Sequence, residues 1–212
     1  TIDPISTTPA ALLESNQASA QLGFSVASAG DVNGDGYSDV IAGATGYDGG
    51  LTDEGAAFIF HGSATGVSTT PGAILESNAA GARFGFSVST AGDVNGDGYS
   101  DIIVGANNYT NSETWEGAVY SYHGSSTGIN TTAAIMMESN QPQAQMGFSV
   151  ACAGDVNSDG FSDVIVGVWL FDNPESNEGV AYVYHGSSTG ISGAIATILE
   201  ANQSASNFGI SV

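Results

Sequence analysis

"DVNGDGYSD" occupies residues 31–39, returns unchanged at 93–101, and returns as "DVNSDGFSD" at 155–163. The separation is the same both times, 62 residues (93 − 31 and 155 − 93). The flanks keep this register. "GFSVASAGDVNGDGYSDVIAGA" (23–44) matches "GFSVSTAGDVNGDGYSDIIVGA" (85–106) and "GFSVACAGDVNSDGFSDVIVGV" (147–168). Downstream, "EGAAFIFHGSATGV" (54–67) matches "EGAVYSYHGSSTGI" (116–129) and "EGVAYVYHGSSTGI" (178–191), and "AILESN" (73–78) matches "IMMESN" and "TILEAN". A fixed period of this size marks a solenoid, a propeller or an array.

Each unit carries four short apolar runs, Phe24–Ser28, Val40–Ala44, Ala56–His61 and Ala73–Glu76 in the first copy. They are rich in Val, Ile, Phe and Tyr, with Gly, Asn, Asp and Ser between them, which is strand and turn chemistry. None is long enough for a helix with its own amphipathic stripe. Four strands per unit predict an all-β chain built of β-propeller blades, each a four-stranded antiparallel sheet. A β-helix would need a much shorter rung. The chain reads as one propeller region over residues 1–212, with repeats at about 23–84, 85–146 and 147–208. An outer strand is expected before them at about 11–14, and an inner strand after them at 208–212. That makes about three and a half blades, where closed propellers have four to eight. The region therefore reads as open: a piece of a longer ring, or a ring completed by another copy.

The repeated loop carries side-chain oxygens at its positions 1, 3, 5 and 9. These are Asp31, Asn33, Asp35 and Asp39, then Asp93, Asn95, Asp97 and Asp101, then Asp155, Asn157, Asp159 and Asp163. The residue at position 7 (Tyr37, Tyr99 or Phe161) is expected to point its carbonyl inward. Gly at position 6 permits a sharp turn. Oxygen donors at alternate positions of a tight loop suit Ca²⁺, a hard cation that takes 6–8 oxygens. Zn²⁺ would call for His or Cys, and the loop has neither. An EF-hand would need Glu at position 12, where Ala42, Val104 and Val166 stand. The loop therefore reads as a calcium-binding β-hairpin with Asp39, Asp101 and Asp163 as bidentate ligands, and about three Ca²⁺ per chain. Runs of Asp, Asn and Gly also form plain Asx turns. Against that reading, three acids sit in each loop with no base to pair them.

The chain has 22 acids and one base, Arg83, for a formal charge of −21. Nucleic-acid binding needs clustered Lys and Arg, and docking on anionic lipid needs the same, so both are excluded. No run of 18 apolar residues is present, so no membrane span is expected. No signal peptide is visible at the start, and the first residue is Thr1, which points to processing or to a piece of a longer chain. Cys152 is alone and stands where the other units have Ser28 and Thr90, so it reads as a small filler.

Together these residues resemble the FG-GAP repeat, the blade of the integrin alpha-subunit N-terminal propeller and of many bacterial extracellular proteins. The FG stands at Phe84–Gly85 and Phe208–Gly209, and is altered to Leu22–Gly23 and Met146–Gly147. The GAP survives as Gly43–Ala44, Gly105–Ala106 and Gly167–Val168, with Thr45, Asn107 and Trp169 in place of Pro. The resemblance implies part of a seven-bladed propeller with calcium in the first hairpin of each blade. It also implies an extracellular or cell-surface setting and a role in adhesion or partner binding.

His61, His123 and His185 recur with the repeat, so they read as structural, and no nucleophile motif stands out. No enzyme is expected. The segments 45–53, 107–115 and 169–177 differ most between copies and are the expected binding face, with Tyr47, Tyr109, Trp115, Trp169 and Phe171 as anchors for a protein or a glycan. Packing between blades is the competing reading of these aromatics. Sequons stand at Asn108, Asn130 and Asn202. Two functional classes remain open: an extracellular binding or adhesion module, and a self-assembly protein whose open ends form a homo-oligomeric ring or fibre.

Overall fold

The computed structural model describes residues 9–212. Its strands follow the repeat. The first unit forms β1 (Leu22–Gly30), β2 (Asp39–Ala44), β3 (Ala56–Phe60) and β4 (Ala73–Glu76). The second forms β5 (Phe84–Gly92), β6 (Asp101–Ala106), β7 (Ala118–Tyr122) and β8 (Ile135–Glu138). The third forms β9 (Met146–Gly154), β10 (Asp163–Val168), β11 (Val180–Tyr184) and β12 (Thr197–Glu200). Each unit is one antiparallel meander, with strands in sequence order across the sheet. These are three blades of an open propeller, and no helix occurs among the described residues.

Register is set by which side chains must be buried on each face. Val26 pairs with Ala42, and Ala42 with Phe58, and Val88 with Val104 and Val104 with Tyr120 repeat the pattern one blade on. The third strand is buried along its whole length in every blade. That requires cover on both faces, and the neighbouring blade supplies it. One core joins Ile41, Ile59 and Leu75 of the first blade to Phe84, Val88, Val104 and Tyr120 of the second. Another joins Ile103, Val119 and Met137 of the second blade to Val150, Val166 and Tyr182 of the third.

Adjacent blades approach backbone to backbone. A Cβ on Gly43 would lie 1.9 Å from the carbonyl oxygen of Gly85, and one on Gly105 would lie 2.1 Å from that of Gly147. Only glycine fits there. Beside each contact a serine donates across the seam: Ser25 to Gly85 O at 2.7 Å, Ser87 to Gly147 O at 2.8 Å, and Ser149 to Gly209 O at 2.9 Å.

The two expected end strands are not formed. Residues 11–14 and 208–212 lie in no strand. The first would pair with the third strand of a preceding unit and the second with the second strand of a following unit, and residues 1–212 contain neither. A strand without a ladder partner has nothing to hold it extended. Residues 208–212 still enter the next position in register, since Phe208 N donates to Glu178 O at 2.8 Å.

Candidate metal loops and the opposite face

The three acid loops join the first and second strands of each blade, so they share one end of the molecule. Asp31 organises its loop by accepting three amides, from Gly34 at 2.7 Å, Asp35 at 3.1 Å and Gly36 at 2.8 Å. Asp93 repeats this with Gly96, Asp97 and Gly98. Asp155 bonds Asp159 and Gly160 at 3.1 and 2.9 Å. In that loop Ser158 replaces glycine and is held at φ 62°, where Gly34 and Gly96 sit at 72° and 75°. Asn33 Oδ1 accepts the Asp35 amide, and Asp35 Oδ1 accepts the Tyr37 amide. Asn95 with Asp97 and Tyr99, and Asn157 with Asp159 and Phe161, repeat the pattern.

Asp39, Asp101 and Asp163 differ from the other loop acids because they are buried. Each accepts one amide from its own loop and one from the end of the third strand. Asp39 takes Val32 N at 2.9 Å and Gly62 N at 2.8 Å. Asp101 takes Val94 N and Gly124 N, and Asp163 takes Val156 N and Gly186 N. This residue therefore clasps the hairpin to the rest of its blade. Burial pushes the Asp101 carboxyl up to about 6, against the pull of the Gly124 and Val94 amides and of His123.

Among the described residues no three His, Cys, Asp or Glu side chains converge closely enough to hold a metal ion. The loop acids are turned onto the loop's own amides instead. The donor chemistry nevertheless fits a hard cation. Each loop presents three carboxylates and one amide oxygen, and Oδ2 of Asp31, Asp93 and Asp155, which accepts one amide, keeps a second lone pair. Arg83, the only base of the chain, makes no ion pair with them; its guanidinium stacks over Phe24 and Phe86 at 5.7 and 5.2 Å.

Neighbouring loops are also stapled together. Ser100 N donates to Asp31 O at 3.0 Å, and Ser100 Oγ accepts Asp31 N at 3.1 Å. The Tyr99 ring lies against Gly34 of the preceding loop, and Phe161 against Gly96. His61 packs on Gly128 of the next blade and His123 on Gly190, which supports their reading as structural residues. Cys152 Sγ accepts the Gly154 amide at 3.4 Å, where Ser28 and Thr90 hydroxyls accept those of Gly30 and Gly92. The cysteine is thus a small acceptor in a conserved turn geometry.

The opposite end carries the connections between second and third strands. Of the five aromatics expected there as anchors, three belong to the blade interior. Tyr47 packs edge-on to Phe58, Tyr109 to Tyr120 and Phe171 to Tyr182. Trp169 closes a ladder of rings, Phe24–Phe86–Phe148–Trp169, with centroids 5.0, 4.9 and 4.8 Å apart. Trp115 alone stands out, 49% exposed. On this face a polar cleft of about 350 Å³ lies between the first two blades, lined by Gln21, Thr45, Asp53, Arg83 and Asn108.

One buried acid was not singled out from the sequence, although it recurs with the repeat. Glu54, Glu116 and Glu178 precede the third strands and are buried. Glu54 Oε1 accepts Gly50 N at 2.6 Å and Leu51 N at 3.0 Å, and Glu116 Oε1 accepts Asn111 N at 2.9 Å. Both carboxylate oxygens of Glu178 lack any partner. Burial, followed by the charges of Glu200, Glu175 and Asp172, holds its carboxyl above the ordinary range.

A family model described as FG-GAP repeat matches residues 22–60, 84–122 and 147–184, the first three strands of each blade. Integrin alpha-V of Gallus gallus is 35% identical over 165 residues, which is 74% of this chain and 16% of that protein. Integrin alpha pat-2 of Caenorhabditis briggsae is 36% identical over 160 residues, 68% of this chain and 13% of that protein. Integrin alpha-5 of Xenopus laevis is 29% identical over 185 residues, 83% of this chain and 17% of that protein. The chain thus spans less than a fifth of the length of these relatives. The family model covers more than half of the chain, in register with all three blades, and the chain belongs to the FG-GAP repeat family.

Proposed function

We propose that this propeller region is an extracellular adhesion or ligand-binding module whose acid loops hold structural Ca²⁺. The observation that carries the reading is the division of the molecule into two unlike ends. One end repeats the same oxygen-only loop three times with no base to neutralise it. The other presents connections that differ between blades, around a polar cleft and an exposed Trp115. Residues Asp31, Asn33, Asp35, Asp39 and the Tyr37 carbonyl would hold the ion in the first loop, and their counterparts at 62-residue spacing in the other two. Bound calcium would supply the counter-charge, and because it favours the folded hairpin it would stabilise the blades. Sites of extracellular modules bind on the order of 10⁻⁴–10⁻³ M, so they fill outside cells and empty in the cytosol. The partner class is a protein or a glycan, by likeness to the integrin relatives, and no enzymatic role is proposed.

The test is capture of a panel of glycans and soluble matrix proteins on the immobilised chain, in millimolar calcium and in chelator. Capture that needs calcium and falls at least tenfold in Trp115→Ala supports the reading. Capture indifferent to both would place recognition elsewhere and leave the loops without a role in it. A second reading, self-assembly through the open ends, draws on the apolar faces left uncovered there. Val26 is 67% exposed where its counterpart Val88 is 8%.

A further inference from the structure

The polar cleft between the first two blades holds the one base of the chain, Arg83. The chain has 22 acids that could pair with it, and among the described residues none does. Its guanidinium lies over Phe24 and Phe86 instead, at 5.7 and 5.2 Å. Stacking uses the faces of the guanidinium, and its N–H donors point outward in its plane. Asp53 lines the same cleft and still makes no ion pair with it. A cation held in place by two rings, but left without a carboxylate, is set for one from outside.

The second seam shows what the same position does elsewhere. Gln21, Arg83 and Gln145 stand in register, all in the left-handed region at φ 60°, 57° and 56°. Between the second and third blades Gln145 Oε1 accepts Asn107 Nδ2 at 3.2 Å and Trp169 Nε1 at 3.1 Å. There the position is spent on the chain's own side chains. Arginine cannot accept, so at the first seam it leaves that role unfilled. Beside it, Thr45 Oγ1 donates to Gln21 Oε1 at 2.8 Å, which leaves the Gln21 NH₂ group for other partners. Asn108 adds a second amide to the lining, and Asp53 an acceptor. No hydrocarbon side chain lines the cleft.

We propose that this cleft binds an acidic sugar residue of a glycan, with Arg83 holding the sugar carboxylate and Gln21, Asn108 and Asp53 holding its hydroxyls. The proposal rests on the reading of this end as the recognition face, and it gives the ligand a chemical class. Guanidinium and carboxylate match as two parallel N–H to oxygen bonds. Sugar hydroxyls both donate and accept, which suits a lining of amides and a carboxylate. The acidic side chain of a protein would bring methylene groups to a wall with no apolar cover for them. The volume of about 350 Å³ is near the lower end for ligand sites and suits one ring rather than a length of chain.

The experiment is an NMR titration of the ¹⁵N-labelled chain with glucuronate, with glucose, and with a capped glutamate peptide. The charge of −21 opposes any anion at long range, so the titration is run at physiological ionic strength, which screens charges beyond about 8 Å. Arg83 is the only arginine, so its Nε–H gives one signal that assigns itself. Glucuronate is expected to shift that signal and the backbone amides of Gln21 and Asn108 to saturation, and glucose to leave the Arg83 signal in place. Arg83→Gln installs the residue of the neighbouring seam at a φ that glutamine already adopts there. In it the Gln21 and Asn108 shifts should need about tenfold more glucuronate, the scale of a lost hydrogen bond to a charged group. An unmoved Arg83 signal, or an equal response in Arg83→Gln, overturns the proposal; if that variant folds poorly, the Arg83 signal of the wild type decides alone. A response to the peptide at lower concentration than to glucuronate also overturns it, and gives the cleft to an acidic protein segment. Capture that depends on calcium and Trp115, with no Arg83 shift, would sink this cleft and leave the wider binding reading standing. The Arg83 shift without any such capture would do the reverse.

Discussion

Ser158 shows how closely one residue is fixed by the repeat. In the first two loops glycine stands fourth, at φ 72° and 75°, and its amide bonds Asp31 or Asp93 at 2.7 Å. Ser158 is forced to φ 62°, and the bond to Asp155 is absent from its loop. The left-handed region costs an L-residue about 1–2 kcal/mol, and the entropy cost of glycine returns about 0.5–1 of that. Ser158→Gly is therefore expected to raise stability by up to about 1 kcal/mol, read as a higher denaturant midpoint in chelator. Chelator matters because it removes any change in metal affinity from the comparison. A midpoint that falls would mean the serine hydroxyl makes a contact worth more than the strain.

The seam between blades is set at the scale of elements. Gly105 lies in β6, and its missing side chain is what lets the Gly147 backbone of β9 approach. A methyl group there would meet Gly147 O at 2.1 Å and Ser87 Oγ at 2.4 Å, both fixed by the seam bond between them. Overpacking of this kind costs about 1–3 kcal/mol or more. Gly105→Ala should lower the unfolding free energy by that amount, read as a lower denaturant midpoint. Gly50→Ala, where a Cβ meets nothing within 4 Å, should stay within about 0.5 kcal/mol. Equal effects would show that the blades slide to make room. Strands of this kind were legible in the sequence, because each is a β-branched and aromatic run bounded by turn residues. The acid loops were legible for the same reason that they repeat: their spacing is local. The contacts of Tyr47, Tyr109 and Phe171 were not. Their partners lie on the third strand, 11 residues on, and only the fold brings them together (Tyr47 with Phe58, Tyr109 with Tyr120). The signal was present, since these rings recur at the repeat spacing inside segments that otherwise diverge. Recurrence there marks packing. Glu54, Glu116 and Glu178 recur in the same way, but that both oxygens of Glu178 go without a partner shows only in the folded chain.

Across the whole molecule, three blades in an arc leave two faces without cover. The inner blade contacts bury Val88 and Val150, each 8% exposed, while Val26 at the same place in the first blade is 67% exposed. At the other end Leu199 is 40% exposed, where its counterparts Leu75 and Met137 are 1% and 6%. These are the two halves of a contact that the chain already makes twice within itself, so a second copy offers the complementary surface to each. Such head-to-tail contacts are heterologous, and build rings or filaments according to whether the rotation closes. The expected outcome for residues 1–212 in solution is a mass by light scattering that rises with concentration above the 21.2 kDa of one chain. The formal charge of −21 opposes this association, so the rise should be steeper in millimolar calcium than in chelator. Val26→Asp adds charge to the open face without touching a buried core, and should return the mass to one chain at every concentration. If the wild type is itself monomeric throughout, the uncovered faces do not bind each other, and the open ends belong to contacts with other segments instead. If association survives Val26→Asp, it runs through the loop faces, and the stacking of blade upon blade is not what carries it.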